Sequence, residues 1–217
     1  MRKYTIGYVD ESDEDVRLFQ RFADEFFNIK EFTPVPDPDE LVSDILSSNI
    51  DVLIVDYDLK EESPEIGYFG EAIIEKVLAV KEGFPVFIFT SHDEEGEITE
   101  QSNNVDIVID KEDMSNNNKN KLLKKIGQKI DNYYKQIKEK EGRLLELLKK
   151  KNDVGLNHKE EDELIECDDF LEKTLNKKQS IKLHIKESYK NDVKDMIELL
   201  NKIDETIQKI NHSNDEK

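Results

Sequence analysis

Four separate segments of the sequence each end an apolar run with groups that can handle a cation or a phosphoryl group. YTIGYV is followed by Asp10 and Glu11, and VLIV by Asp56 and, one tyrosine later, Asp58. VFIF is followed by Thr90 and Ser91, and VDIVI by Asp110 and Lys111. Carboxylates gathered in one place repel and raise one another's pKa values unless a cation neutralises them. An all-oxygen set that leaves room for water suits Mg²⁺. A lysine and a hydroxyl on the same edge supply a point charge and a donor for phosphoryl oxygens. An aspartate beside a metal and a lysine becomes a usable nucleophile. Each residue also has a plainer use: Asp10 or Asp13 can cap the next helix, and Lys111 can be a solvated lysine. The joint occurrence of acid pair, strand-final Asp, strand-final Thr and strand-final Lys, in this order, carries the chemical reading.

Placing these groups together requires a parallel sheet, because ligand sites in such sheets lie outside the carboxyl ends of the strands. The first half of the sequence alternates β-rich runs with helical patterns, which implies crossover helices on a parallel sheet. Five strands are expected, at Tyr4–Val9, Ile29–Val35, Val52–Val55, Val86–Phe89 and Val105–Ile109. The helices expected between them are Glu14–Phe27, with Val16, Phe19, Phe22, Ala23 and Phe26 on one face, then Pro38–Ser47, Phe69–Val80 and a weak acidic helix at Glu94–Gln101. The polar stretch Glu61–Phe69 reads as a long loop beside Asp56 and Asp58. The fold class is therefore α/β: a doubly wound five-stranded parallel sheet, followed by an all-α hairpin or coiled-coil region.

From Ser115 the texture becomes helical. Leu123, Ile126, Ile130, Tyr133, Ile137, Leu144 and Leu147 follow a 3-4 spacing interrupted at Lys140, and a second seam runs from Tyr189 to Ile210. Between them lie Leu164, Ile165, Phe170, Leu171 and Leu175, with Gly155 and Asn157 marking a turn, while the tail from His212 reads as frayed. Parallel coiled coil, antiparallel hairpin and intermolecular bundle all satisfy this spacing. The expected division is a domain over residues 1–116, whose last helix runs on to about residue 130, and a helical region over 117–217 that serves output or dimerisation.

Charge narrows the function classes. The net charge is −19, and residues 1–118 hold 9 Lys and Arg against 30 Asp and Glu. The basic stretch Lys119–Lys151, with 12 basic and 4 acidic side chains, reads as a helix paired with acidic neighbours. With no basic tri-helical module and no zinc ligands, DNA output is not expected. Cys167 is the sole cysteine, which excludes an intrachain disulfide and a cysteine zinc site and reads as a bystander. His158 lacks the basic residue and Thr-Pro of a kinase phosphoacceptor box and reads as a solvated residue near a turn. No leader or membrane-length apolar run is seen, so a cytoplasmic protein without membrane contact is expected.

Over roughly residues 3–130 the sequence resembles the receiver domain of bacterial two-component response regulators. The resemblance rests on VDES at Val9–Ser12, VDYDL at Val55–Leu59, FTSHD at Phe89–Asp93 and IDKED at Ile109–Asp113. It implies that Asp56 accepts a phosphoryl group from a phosphohistidine on a partner histidine kinase. It further implies that Asp10, Glu11, Asp56 and the backbone carbonyl of Asp58 hold Mg²⁺, that Thr90 is the switch hydroxyl, and that Lys111 pairs with the phosphoryl oxygens. The sequence departs from the family where Glu112 replaces the usual proline, where Val108 replaces the usual aromatic switch residue, and in a longer loop after Asp58 that lacks Met-Pro.

Two other readings compete. Asp-x-Asp at a strand end also resembles the first motif of haloacid-dehalogenase-type phosphatases, with Asp56 as nucleophile and Asp58 as acid/base. There, however, the nucleophile sits on the first strand and the second acid pair follows the lysine. A constitutive adaptor, never phosphorylated, would be expected to have lost Asp56, Lys111 or the acid pair, and all are present. The favoured expectation is a phosphorylatable signalling module, not an enzyme. Its helical region would bind a partner protein or form a homodimer, without DNA.

Overall fold

The computed structural model describes residues 3–61, 63–90, 108–114 and 119–175. Residues Met1–Thr174 form one compact unit and Leu175–Lys217 a second. The expected acidic helix at Glu94–Gln101, the seam from Tyr189 to Ile210 and the tail from His212 lie outside the described residues.

Five parallel strands build the sheet: β1 (Thr5–Val9), β2 (Asn28–Phe32), β3 (Val52–Asp56), β4 (Val86–Thr90) and β5 (Val108–Asp110), in the order β2-β1-β3-β4-β5. β3 and β4 are buried at every position, as central strands covered on both faces must be, whereas the edge strand β2 buries only Phe32. The helices of this half are α1 (Asp13–Ala23), α2 (Pro38–Ser47) and α3 (Gly70–Val80). The Asp37 side chain caps α2 by accepting the Asp39 N–H at 2.9 Å, and Pro38 supplies the first helical residue.

Among the described residues, two boundaries differ from the sequence expectation by more than one residue. α1 stops at Ala23 rather than Phe27, because the Phe26 and Phe27 N–H groups both turn back to the Ala23 carbonyl and Asn28 must reach the Tyr4 carbonyl to begin β2. Phe27 then packs in the core from the turn, and Phe26, expected on the buried face, is 46% exposed. β2 ends at Phe32 rather than Val35, where Pro34 and Pro36 would remove ladder donors.

Helix α4 (Lys119–Asp153) runs 35 residues without a break, about 50 Å at 1.5 Å per residue. Its first turns lay Leu122, Leu123, Ile126 and Ile130 into the same core as Tyr8, Phe19, Ile54, Phe87, Phe89 and Ile109. Farther along, Tyr133, Ile137, Leu144 and Leu147 are buried, as are Cys167 and Leu171 of α5 (His158–Thr174).

The two helices are antiparallel within one chain, since Arg143 pairs with Glu163 at 2.7 Å, Lys150 with Glu160 at 2.5 Å, and the Tyr133 hydroxyl donates to the Thr174 carbonyl at 3.2 Å. Gly155 makes the turn with φ +83, a conformation that costs a residue without a Cβ little. Asn157 and Glu160 then bond reciprocally, each side chain accepting the other's N–H at 3.1 Å, as a capping pair for α5.

The hairpin returns to the amino-end edge of the sheet. There the Glu82 N–H donates to the Lys173 carbonyl at 2.9 Å, the Phe84 ring meets Tyr133 edge-on, and the Tyr134 hydroxyl donates to Asp51 at 2.6 Å.

Candidate functional site

The opposite, carboxyl-end edge carries the acidic cluster. β1 delivers Asp10, β3 ends on Asp56, β4 ends on Thr90, and β5 leads into a 3₁₀ turn that begins at Lys111. Asp10 and Asp56 are both buried, and Thr90 is fully so. Lys111 draws the cluster together, with Nζ 2.7 Å from Asp56 Oδ1 and 3.4 Å from Asp10 Oδ2. Burial works against the lysine's charge, but Asp56 and Asp10 more than offset it and hold the ammonium well above the ordinary lysine range.

Asp10 is fixed by groups on its own strand and turn. The Tyr8 hydroxyl donates to Asp10 Oδ2 at 2.6 Å from a position stacked on Phe19, and the Ser12 N–H donates to Asp10 Oδ1 at 2.9 Å. Burial still raises the Asp10 carboxyl above its usual value, with Lys111 and these donors pulling the other way. Burial pushes Glu11 up to about 7, with the Asp56 and Asp10 charges adding to the effect. Its Oε2 is buried and accepts no hydrogen bond.

The Asp58 carboxylate accepts the Lys60 N–H on Oδ1 at 3.0 Å. Gly70 opens α3 directly against β3, where a Cβ would fall 2.1 Å from the Asp56 carbonyl oxygen.

Of the residues expected at the site, Asp10, Asp56 and Lys111 meet within ion-pair distance. Glu11, through its charge, acts on the same group, and Thr90 ends the neighbouring strand. Ser91 lies outside the described residues. Neither Asp10 nor Asp13 caps α1; Ser12 holds that position without a side-chain bond.

Sequence reasoning missed two participants. One is Tyr8, hidden inside an apolar run. The other is Asp15, whose Oδ2 lies 2.5 Å from Lys111 Nζ. Its place in the first turn of α1, five residues after Asp10, is the only sequence signal for the latter. His158, the first residue of α5, is 99% exposed with Nδ1 3.6 Å from Glu161.

Among the described residues no group of three His, Cys, Asp or Glu side chains is arranged to hold a metal ion. Lys111 stands between Asp10 and Asp56 instead. The donor chemistry nevertheless fits Mg²⁺: Asp10, Asp56 and Glu11 are oxygen donors, and the orphaned Glu11 Oε2 is a buried acceptor that a cation would satisfy.

Strand order 2-1-3-4-5 with polar groups at the carboxyl edge is the flavodoxin-like doubly wound arrangement. No family model matches the sequence, and no curated protein matches it. Solved structures do match. A signal receiver domain of an HD-domain-containing protein from Pseudomonas fluorescens is 12% identical, covers 63% of this chain and 93% of its own, and has a TM-score of 0.49. The N-terminal receiver domain of a response regulator from Bacteroides fragilis is 16% identical over 59% of this chain and 98% of its own, with a TM-score of 0.46.

The N-terminal sheet has the flavodoxin-like fold, the class to which receiver domains belong.

A structure of adenylate cyclase from Rhodopirellula baltica is 21% identical, covers 69% of this chain and 99% of its own, and reaches a TM-score of 0.50. At such identities these likenesses speak of fold alone. Within this fold, Lys111 and Asp56 come from the ends of β5 and β3, so their approach depends on the order of the strands rather than on neighbouring sequence. No helix among the described residues is long and apolar enough to cross a membrane.

Proposed function

We propose that the protein is a response-regulator-type signalling protein whose Asp56 accepts a phosphoryl group from a phosphohistidine on a partner kinase. The observation that carries this reading is the Lys111 ammonium 2.7 Å from Asp56 Oδ1 in a buried acidic cluster. Asp56 Oδ attacks phosphorus, the bond from phosphorus to the donor nitrogen breaks, and the imidazole leaves. Lys111 follows the charge onto the phosphoryl oxygens, and the Thr90 hydroxyl supplies a donor from the adjacent strand. Asp10, Glu11, Asp56 and the Asp58 backbone carbonyl would hold Mg²⁺, which when bound neutralises charge on the transferred group. The receiver is a phosphoacceptor rather than a catalyst of turnover.

The helical hairpin is the proposed output, toward a protein partner or a second copy. Support comes from the shared core: Phe89 of β4, next to Thr90, and Ile109 of β5, two residues before Lys111, belong to the cluster that includes Leu122, Ile126 and Ile130 of α4. A shift of either strand end is thereby felt by the rod that carries the hairpin. The acidic charge of the chain argues against DNA as partner and fits a cytoplasmic protein–protein role.

Binding of beryllofluoride, a phosphoryl mimic, tests the site by ¹⁹F NMR. A Mg²⁺-dependent bound resonance that disappears in Asp56→Asn supports the reading, and no bound resonance in the wild type sinks it.

A further inference from the structure

Lys111 serves three carboxylates rather than the two that the proposed chemistry uses. Its shortest contact, 2.5 Å, is to Asp15 Oδ2, shorter than the 2.7 Å to Asp56 and the 3.4 Å to Asp10. Asp15 stands in the first turn of α1, where the helix dipole favours an anion, and its side chain is 30% exposed while those of Asp56 and Asp10 are 6% and 0%. It takes a share of the ammonium that Asp56 and Asp10 also hold.

From this we infer that Asp15 is a positioning residue that acts through Lys111 and restrains phosphoryl transfer at Asp56. The inference rests on the phosphoacceptor reading above. Acceptance from a small donor such as acetyl phosphate forms the bond from Asp56 Oδ to phosphorus and breaks the bond from phosphorus to the acetyl oxygen, and acetate leaves with the electron pair. Hydrolysis forms a bond from water oxygen to phosphorus and breaks that to Asp56, regenerating the carboxylate and releasing phosphate.

Both steps load charge onto the same three phosphoryl oxygens, and Lys111 stabilises that charge in each. An Asp15 carboxylate in contact with Nζ draws the ammonium toward α1 and adds a negative charge near the incoming group. Removing that charge speeds both steps, whereas merely loosening the site slows them.

The test uses the full-length protein and compares wild type, Asp15→Asn and Asp15→Glu. Acceptance from acetyl phosphate and loss of the adduct are followed by intact mass, and the Lys111 ammonium by ¹H–¹⁵N NMR. Asp15→Asn is expected to raise both rates about three- to fivefold, the range of a partly exposed ion pair. The gain should shrink as salt rises, the ammonium resonance should lose protection, and Asp15→Glu should stay near wild type. Unchanged or slower rates in Asp15→Asn, with the fold intact by circular dichroism, overturn the inference. A wild type that takes no adduct overturns the phosphoacceptor reading with it, whereas an adduct indifferent to Asp15 overturns this inference alone.

Discussion

Gly70 opens α3 so close to Asp56 that a Cβ at that position would stand 2.1 Å from the Asp56 carbonyl oxygen and 2.9 Å from Val55 Cγ1. The obstructing atom is backbone, so no side-chain rotation relieves it. Gly70→Ala should therefore cost about 2–4 kcal/mol in urea unfolding, since either the end of β3 or the start of α3 must move. It should also disturb metal and phosphoryl binding at Asp56. A variant within about 0.5 kcal/mol of wild type would show that the helix start yields freely.

Lys111 is the cation for two buried carboxylates. Lys111→Met leaves Asp10 and Asp56 without it, and destabilisation of about 1–3 kcal/mol is expected, discounted from a fully buried pair because the lysine side chain is 22% exposed. Phosphoryl acceptance should drop about a hundredfold or more, as befits loss of a charge aimed at the transferring oxygens. Denaturation and adduct-formation rates measure the two effects separately.

The orphaned Glu11 oxygen predicts a metal-linked stability. Mg²⁺ at ten times its dissociation constant should add about 1.4 kcal/mol, a rise in melting temperature of roughly 3–5 °C. Glu11→Gln should lose most of that rise while folding normally without metal. Equal Mg²⁺ stabilisation of both proteins would remove Glu11 from the site.

Burial holds the Tyr133 hydroxyl well above the ordinary tyrosine range, beneath its bond to the Thr174 carbonyl. Because the folded value is raised, its contribution is fully present below about pH 10 and is lost as the pH rises, when the unfolded chain ionises first. Tyr133→Phe should reduce the steepness of alkaline destabilisation by up to about 1.4 kcal/mol per pH unit. Identical alkaline slopes for the two proteins would contradict the placement of Tyr133 between α4 and α5.

Much of the fold is legible because its determinants are local. Central strands are runs of consecutive apolar residues, Asp37-Pro38 announces α2 to the residue, and the seam from Leu123 to Leu147 lies buried along α4. What escaped the sequence depends on tertiary demands. FADEFF continues a helical apolar rhythm through Phe26, yet the chain must turn there so that β2 can pair with β1.

Asp15 is one acid among several in DESDED, and only the docking of α1 against the end of β5 singles it out. Cys167, read as a bystander among acidic residues, is fully buried on the inner side of the hairpin, because an acidic helix spends its few small apolar groups there. The choice among coiled coil, bundle and hairpin was open on spacing alone. It is decided for α4 and α5 by Gly155, the Asn157–Glu160 cap and the ion pairs that follow an antiparallel course.

The most direct test of Asp56 as phosphoacceptor is intact mass after incubation with Mg²⁺ and acetyl phosphate. One phosphoryl adduct on the wild type, dependent on Mg²⁺ and absent from Asp56→Asn, is the expected result. No adduct on the wild type, or an adduct that persists in Asp56→Asn, would contradict it.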